Sequence, residues 1–215
     1  MGLKYRRKCE RNLTYDQPYL IEAIGMISDL IQKNRSYRRF YQEAAIDVQT
    51  LRELVDLARL SASGGNLQPL KYILSCDSQK NALIFPHLVW AGYLKDWPGP
   101  SEGERPSAYV IILWDKEIAR QAIGCDHGIA AQSILLGATE KGLGGCMIGS
   151  IDRYGLGKDL KIPRHYEILL VLALGKPKET VVIETVEPSG NIEYWRDRDG
   201  VHHVPKRPLD ELIID

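Results

Sequence analysis

The stretch DHGIAAQSILLGATEKGLGGCMIG (Asp126–Gly149) changes character halfway along. Residues 126–141 read as a helix of small and aliphatic side chains, with Asp126 able to cap its start and Gly142 able to end it. Gly144 to Gly149 then reads as a strand reached by a tight turn. A helix joined this closely to a strand needs a fold with layers of both types. Downstream, Ile168 to Leu174 is an apolar run that reads as a buried strand closed by Gly175. Upstream, Ala108 to Trp114 is a second such run, suited to burial on both faces. Tyr72, Ile73 and Leu74 form a shorter strand, after a helix that Asp47 caps and whose apolar face is Leu51, Leu54, Val55 and Ala58. Asp16 and Pro18 suit the start of an earlier helix, with Leu20, Ile24, Ile27 and Ile31 at helical spacing. Near the end, Ile192–Trp195 and Val201–Val204 flank a turn closed by Asp199-Gly200, a hairpin signal. Helices first, then strands and helices mixed, indicate an α+β or mixed α/β layer fold.

The chain has 215 residues, enough for one domain, with residues 1–15 as a basic extension and 190–215 as a terminal hairpin and tail. A hydrophobic fraction of 44% and a charged fraction of 26% are those of a folded globular protein. The 28 basic and 28 acidic side chains cancel, which excludes a uniformly basic nucleic-acid-binding domain. The cancellation is uneven. Residues 1–39 hold nine basic and four acidic side chains, a balance of +5, and the remainder holds 19 and 24, a balance of −5. Cys9, Cys76, Cys125 and Cys146 are widely spaced, which favours a reducing cytoplasm over a disulfide scaffold. The basic start has no apolar signal-peptide core after it, and Tyr19–Ile31 is too short and too interrupted to span a bilayer.

Three short motifs suggest chemistry. Arg35-Ser36-Tyr37-Arg38-Arg39-Phe40 follows a helix, and a forked guanidinium beside a hydroxyl can grip a phosphate. In Ser61-Ala62-Ser63-Gly64-Gly65-Asn66-Leu67-Gln68-Pro69, small residues let the backbone approach a flat ligand. Asn66 and Gln68 carry both donors and acceptors, as the edge of a flavin pyrimidine ring requires. Lys206-Arg207-Pro208 is a second cationic pair. Each motif taken alone has an ordinary reading as a solvated connector, turn or tail. Neither a dinucleotide fingerprint nor a P-loop accounts for the glycines.

Taken in order, RSxRxF, then SxSGGNxQP, then DxGIAAQ at Asp126–Gln132, then GLGG at Gly142–Gly145, with KRPLDE at the end, the chain resembles the nitroreductase family of FMN-dependent oxidoreductases from about Leu20 onward. That resemblance implies an α+β fold with a central, mostly antiparallel sheet packed between helices. It also implies an intertwined homodimer with FMN in clefts between the subunits. Arg35, Ser36 and Arg38 would hold the phosphate-ribityl side and the N1/O2 edge, joined at the phosphate by Lys206 and Arg207. Ala62, Ser63 and Asn66 would approach the same flavin from the partner subunit, Gln68 is a further cofactor-binding candidate, and Met147, Ile148 and Gly149 would lie near the ring. Two positions depart from the family's pattern: Asn34 stands where a second basic residue is common, and Leu70 where a Trp is usual.

The implied reaction is a hydride relay from NAD(P)H through flavin N5 to an electron-poor small molecule such as a nitro compound or quinone. Arg38 is the candidate cation that stabilises the reduced flavin at N1 and O2. The irregular stretch 85–107, with Trp90, Tyr93 and Trp97, is a candidate substrate loop; its alternative is a core or dimer contact. No catalytic side chain and no metal are required. Cys125 and His127 would point apart on a helix, and His202 and His203 would face opposite sides of a strand. The competing class is a non-enzymatic FMN-binding store or sensor.

Overall fold

The computed structural model describes residues 27–120, 124–187 and 190–214. The basic stretch 1–15, the helix start at Asp16 and Pro18, and Leu20 and Ile24 lie outside those residues. Residues 27–33 are helical (α1), and they include Ile27 and Ile31.

Five strands form an antiparallel sheet: β1 (Phe40–Tyr41), β2 (Leu70–Ser75), β3 (Ala108–Asp115), β4 (Gly144–Ile148) and β5 (Tyr166–Pro177). β3 is central and wholly buried, as its unbroken apolar run requires. It pairs with β2 on one side and β5 on the other. β4 and then β1 share the far edge of β5, through Gly144↔Gly175 to Ile148↔Val171 and then Phe40↔Pro177. β5 therefore does not stop at Gly175 but runs on to Pro177. Glycine is needed there for packing, because a Cβ would meet the Phe40 ring at 2.7 Å.

α2 (Val48–Leu60) and α4 (Asp126–Glu140) cover one face of the sheet. Leu51, Leu54, Ala131, Ile134 and Ala138 pack there on Val110, Ile112, Leu172 and Leu174. Asp47 caps α2 as expected, its side chain accepting from the Thr50 N–H at 2.7 Å. Gly142 ends α4 with φ +72°, and the Leu143 N–H bonds back to the Ala138 carbonyl at 2.9 Å. The other face carries Ile84, Leu88, Trp90 and Leu156, from α3 (Ser78–Ile84), the stretch after it, and α5 (Arg153–Asp159).

A second sheet of three short strands, β6 (Val181–Thr185), β7 (Trp195–Arg196) and β8 (His202–Lys206), follows β5. The terminal hairpin exists, but its first strand is two residues long. Ile192 to Tyr194 leave the pairing because Tyr194 turns to pack on Tyr93, with ring centroids 4.8 Å apart. β8 also pairs in parallel with β6, a partner the hairpin pattern could not indicate.

Gly145 sits in β4, paired with Leu174 of β5 and beneath Leu135 of α4. A Cβ there would meet the Ala173 carbonyl oxygen, Leu174 at 2.8 Å and Leu135 at 3.0 Å. Gly145→Ala is expected to destabilise the fold by about 1–3 kcal/mol. The reading is a lower denaturant midpoint at unchanged slope, and a native midpoint would refute the account.

Candidate functional site

The segment between α1 and β1 runs alongside β4. Ser36 bridges to Gly145, and the Tyr37 N–H bonds to the Gly145 carbonyl at 3.1 Å. Gly144 admits the Tyr37 ring, which a Cβ would meet at 2.5 Å. Buried Glu179, just past β5, fixes the next two residues. Its Oε1 accepts from the Arg38 and Arg39 N–H groups, and its Oε2 takes Arg196 Nη2 at 2.8 Å. Arg39 turns away into a forked pair with Glu104, both bonds at 2.6 Å. The two adjacent arginines thus have different roles, one in structure and one at a cavity.

Arg38 lines a cavity of about 170 Å³ together with Trp90, Cys146, Met147, Ile148, Gly149 and Tyr194. Of the predicted cofactor residues, the fold brings Arg38, Met147, Ile148 and Gly149 together here. The Arg38 guanidinium lies over the Tyr194 ring, 4.7 Å from its centroid, and Nη1 donates to His202 Nε2 at 3.1 Å. Burial pushes the Cys146 thiol up to about 12, so it is not a thiolate. Arg35 and Ser36 are on the same segment without lining the cavity; Arg35 Nη2 donates to the Ile31 carbonyl at 2.6 Å.

The loop Ser61–Pro69 borders a different cavity, of about 150 Å³, with Ala62, Ser63, Gln68 and Tyr72 in its wall. Asp126 organises it. Its carboxylate accepts from Ser63 Oγ at 2.7 Å and from the Gly64 N–H at 3.0 Å. Asp126 therefore does not cap α4. Cys125 holds the cap position without a side-chain bond, because the carboxylate is spent on the loop. Burial, with Asp126 nearby, pushes the Tyr72 hydroxyl up to about 12, so it stays a donor. Gly65, Asn66 and Gln68 all have positive φ (57°, 55° and 52°). Gln68 Nε2 donates to Asn66 Oδ1 at 3.1 Å, so these two amides hold each other. Non-glycine residues in that region are the kind of strain that marks binding loops.

The other predicted positions are scattered. Lys206 ends β8, and Arg207 pairs with Glu211 at 3.2 Å; neither lines the two cavities. Trp90 is 6% exposed and belongs to the core as well as to the cavity wall. Tyr93 and Trp97 line an open groove with Trp195 and Arg196 instead. The stretch 85–107 is thus built into the body through Trp90. Its tail closes over Gly99 (φ +108°), where a Cβ would meet the Trp90 ring at 2.7 Å. Asp115, Glu117 and His165 bring metal-type donor atoms within 4.8 Å of one another, and they border neither cavity.

Sequence reasoning missed Tyr194, His202, Glu179 and Asp126 in these roles. Tyr194 and His202 are legible only as hairpin residues; the fold sets His202 in β8 against Arg38 Nη1 and Tyr194 under the Arg38 guanidinium.

A family model described as Nitroreductase family matches residues 31–176. Among curated proteins the chain is similar to 5,6-dimethylbenzimidazole synthase of Rhodospirillum rubrum, 24% identical over 191 residues, 79% of this chain and 88% of that protein. Among solved structures it is similar to a nitroreductase family protein from Clostridium novyi NT, at TM-score 0.59 and 25% identity over 70% of this chain and 84% of that one. NADPH:FMN oxidoreductase from Vibrio harveyi, complexed with NAD+, matches at TM-score 0.60 and 20% identity over 88% of this chain and 76% of that one. These likenesses fix the α+β fold. Among the described residues, no helix is long and apolar enough to cross a membrane.

Proposed function

From the premise that this chain belongs to the nitroreductase family, we propose that it is an FMN-dependent oxidoreductase that passes hydride from NAD(P)H to an electron-poor small molecule such as a nitro compound or quinone. The observation that carries this reading is the cavity in which Arg38 meets Met147, Ile148 and Gly149. The residues suit such a cofactor. Trp90 Nε1 in the cavity wall is a buried donor with no partner among the described residues, and a Cβ on Gly149 would meet nothing within 4 Å.

Bound FMN supplies the hydride chemistry, which no protein side chain need perform. The protein's part is to bind, orient and polarise. Arg38 would offer a fixed positive charge to the N1/O2 edge and Arg35 and Ser36 would hold the phosphate-ribityl side; Lys206 and Arg207, which line neither cavity, would have to reach the phosphate from the end of β8. Met147, Ile148 and Gly149, side by side in the cavity wall, would lie against the ring.

Arg38 and Met147–Gly149 line one cavity, and Ala62, Ser63 and Gln68 line another; a homodimer in which Ala62, Ser63, Asn66 and Gln68 of one subunit complete the site of the other would unite the two halves. A single domain with a basic extension and a terminal hairpin, working in the cytoplasm on small molecules, is the organisation that goes with this reading.

Similarity to the dimethylbenzimidazole synthase supports a second reading, a synthase that forms a benzimidazole. One experiment separates the readings. The purified chain, titrated with FMN, is expected to bind it and then to oxidise NADH or NADPH when a quinone or nitroaromatic is added. FMN binding without turnover would favour the store or sensor, and a benzimidazole product seen by mass spectrometry would favour the synthase. A chain that takes up no FMN refutes all three.

A further inference from the structure

His202 is fully buried in β8, and its imidazole faces Arg38. A guanidinium can only donate, so Nε2 must accept from Arg38 Nη1 and the ring proton must sit on Nδ1. That Nδ1 is buried and has no partner among the described residues. The groups around the ring come from several elements. Arg38 approaches from the segment before β1, Tyr194 lies with its ring centroid 5.2 Å away, and Arg196 comes from β7. His203 is adjacent in β8, and the Thr180 carbonyl accepts the His202 N–H at 2.9 Å. Glu179 is committed to Arg196 and to two backbone N–H groups. Burial first, then the charges of Arg38, Arg196 and His203, hold the His202 pKa down to about 4.

Among the described residues, no carboxylate lies within ion-pair distance of the Arg38 side chain. Its orientation comes from neutral groups: His202 Nε2, the Ser36 carbonyl at 3.4 Å and the Tyr194 face. This differs from Arg39, which spends its charge on Glu104. A carboxylate would also orient a guanidinium, but it would cancel the charge a ligand is meant to feel. A neutral imidazole acceptor orients it and leaves the charge intact.

We infer that His202 is the positioning residue for Arg38, a neutral acceptor from the terminal sheet that aims an uncompensated guanidinium at the cavity and so raises the affinity of the site for reduced over oxidised flavin. This deepens the FMN reading above and rests on it. The terminal sheet then does more than close the fold, because it carries the neutral group that orients the Arg38 charge.

The test uses the full chain. In the native protein, ¹⁵N-histidine NMR is expected to show His202 neutral and protonated at Nδ1 from pH 5 to pH 8; an Nε2-protonated or cationic ring at pH 7 overturns the inference without reference to flavin. In FMN titrations and redox titrations, His202→Phe is expected to weaken reduced flavin about tenfold more than oxidised flavin. That factor is a fall of about 30 mV in the two-electron midpoint potential. In an Arg38→Met background the same substitution is expected to add no further fall, since a residue acting through another has nothing left to position. His202→Gln, whose carbonyl can replace Nε2, is expected to restore the potential, and His202→Asn, which cannot reach, is not. If the Phe variant does not fold, the Gln and Asn pair makes the same comparison. A native potential in His202→Phe or His202→Asn, or an effect additive with Arg38→Met, overturns the inference while leaving the FMN reading standing. A native chain that binds no FMN overturns both.

Discussion

Glu179→Ala is expected to lower the unfolding free energy by about 3–5 kcal/mol, the range found when one member of a buried ion pair is removed. The Glu179 side chain is fully buried, and it answers three donors from two distant parts of the chain: the N–H groups of Arg38 and Arg39, and the Arg196 guanidinium. Truncation leaves Arg196, only 15% exposed in its side chain, as an uncompensated buried cation. It also leaves two backbone donors without acceptors, which is part of the same loss. A swap of the pair for apolar side chains, Glu179→Met with Arg196→Met, removes the first problem but not the second. The double variant should therefore recover part of the loss and fall short of native. Arg196→Met alone should cost less than Glu179→Ala, because the carboxylate keeps its two backbone donors. Denaturant midpoints of the four proteins check the order, and equal stability of native and Glu179→Ala would show that the carboxylate anchors nothing.

That anchor lies between what sequence reading reaches and what it misses. The buried strands Ala108–Trp114 and Ile168–Leu174 announce themselves by unbroken apolar runs, and α2 and α4 by small and aliphatic periodicity, so the layers of the fold are legible. The short elements are not. α3, α5 and β6 span seven, seven and five residues, too few to establish a period against their polar neighbours. The same limit divides the site. RSYRRF and SASGGN are contiguous and can be recognised by residue type and order. Glu179, Tyr194 and His202 act through contacts across about 140 to 165 positions of chain, as in Arg38–Glu179 and Arg38–His202. A Glu after a strand or a His in a hairpin has no local pattern to mark it. Asp126 shows the converse: its cap-like position before a helical run was legible, yet its carboxylate serves a loop 63 residues away. Local grammar identified the residue and tertiary context decided its use.

Arg38→Met is expected to raise the FMN dissociation constant about 10–100-fold, the worth of one hydrogen bond from a charged donor. Methionine keeps most of the apolar stem that lies on Tyr194 and removes only the charge and its donors. Two separate losses follow, and they must be told apart. Without Arg38, His202 Nε2 becomes a buried acceptor with no donor, so the terminal sheet is less firmly held. That loosening weakens oxidised and reduced flavin alike, and the midpoint potential does not move. Loss of the charge at the N1/O2 edge acts on the reduced form, where negative charge accumulates. If reduced flavin loses 10–100-fold more affinity than oxidised flavin, the two-electron potential falls by about 30–60 mV. Arg38→Lys then serves as the discriminating variant. An ammonium keeps the positive charge but not the forked geometry. It should lose affinity through poorer fit, yet hold its potential near native. A methionine variant that binds FMN weakly at the native potential would assign Arg38 to structure, and native affinity and potential together would remove it from the site.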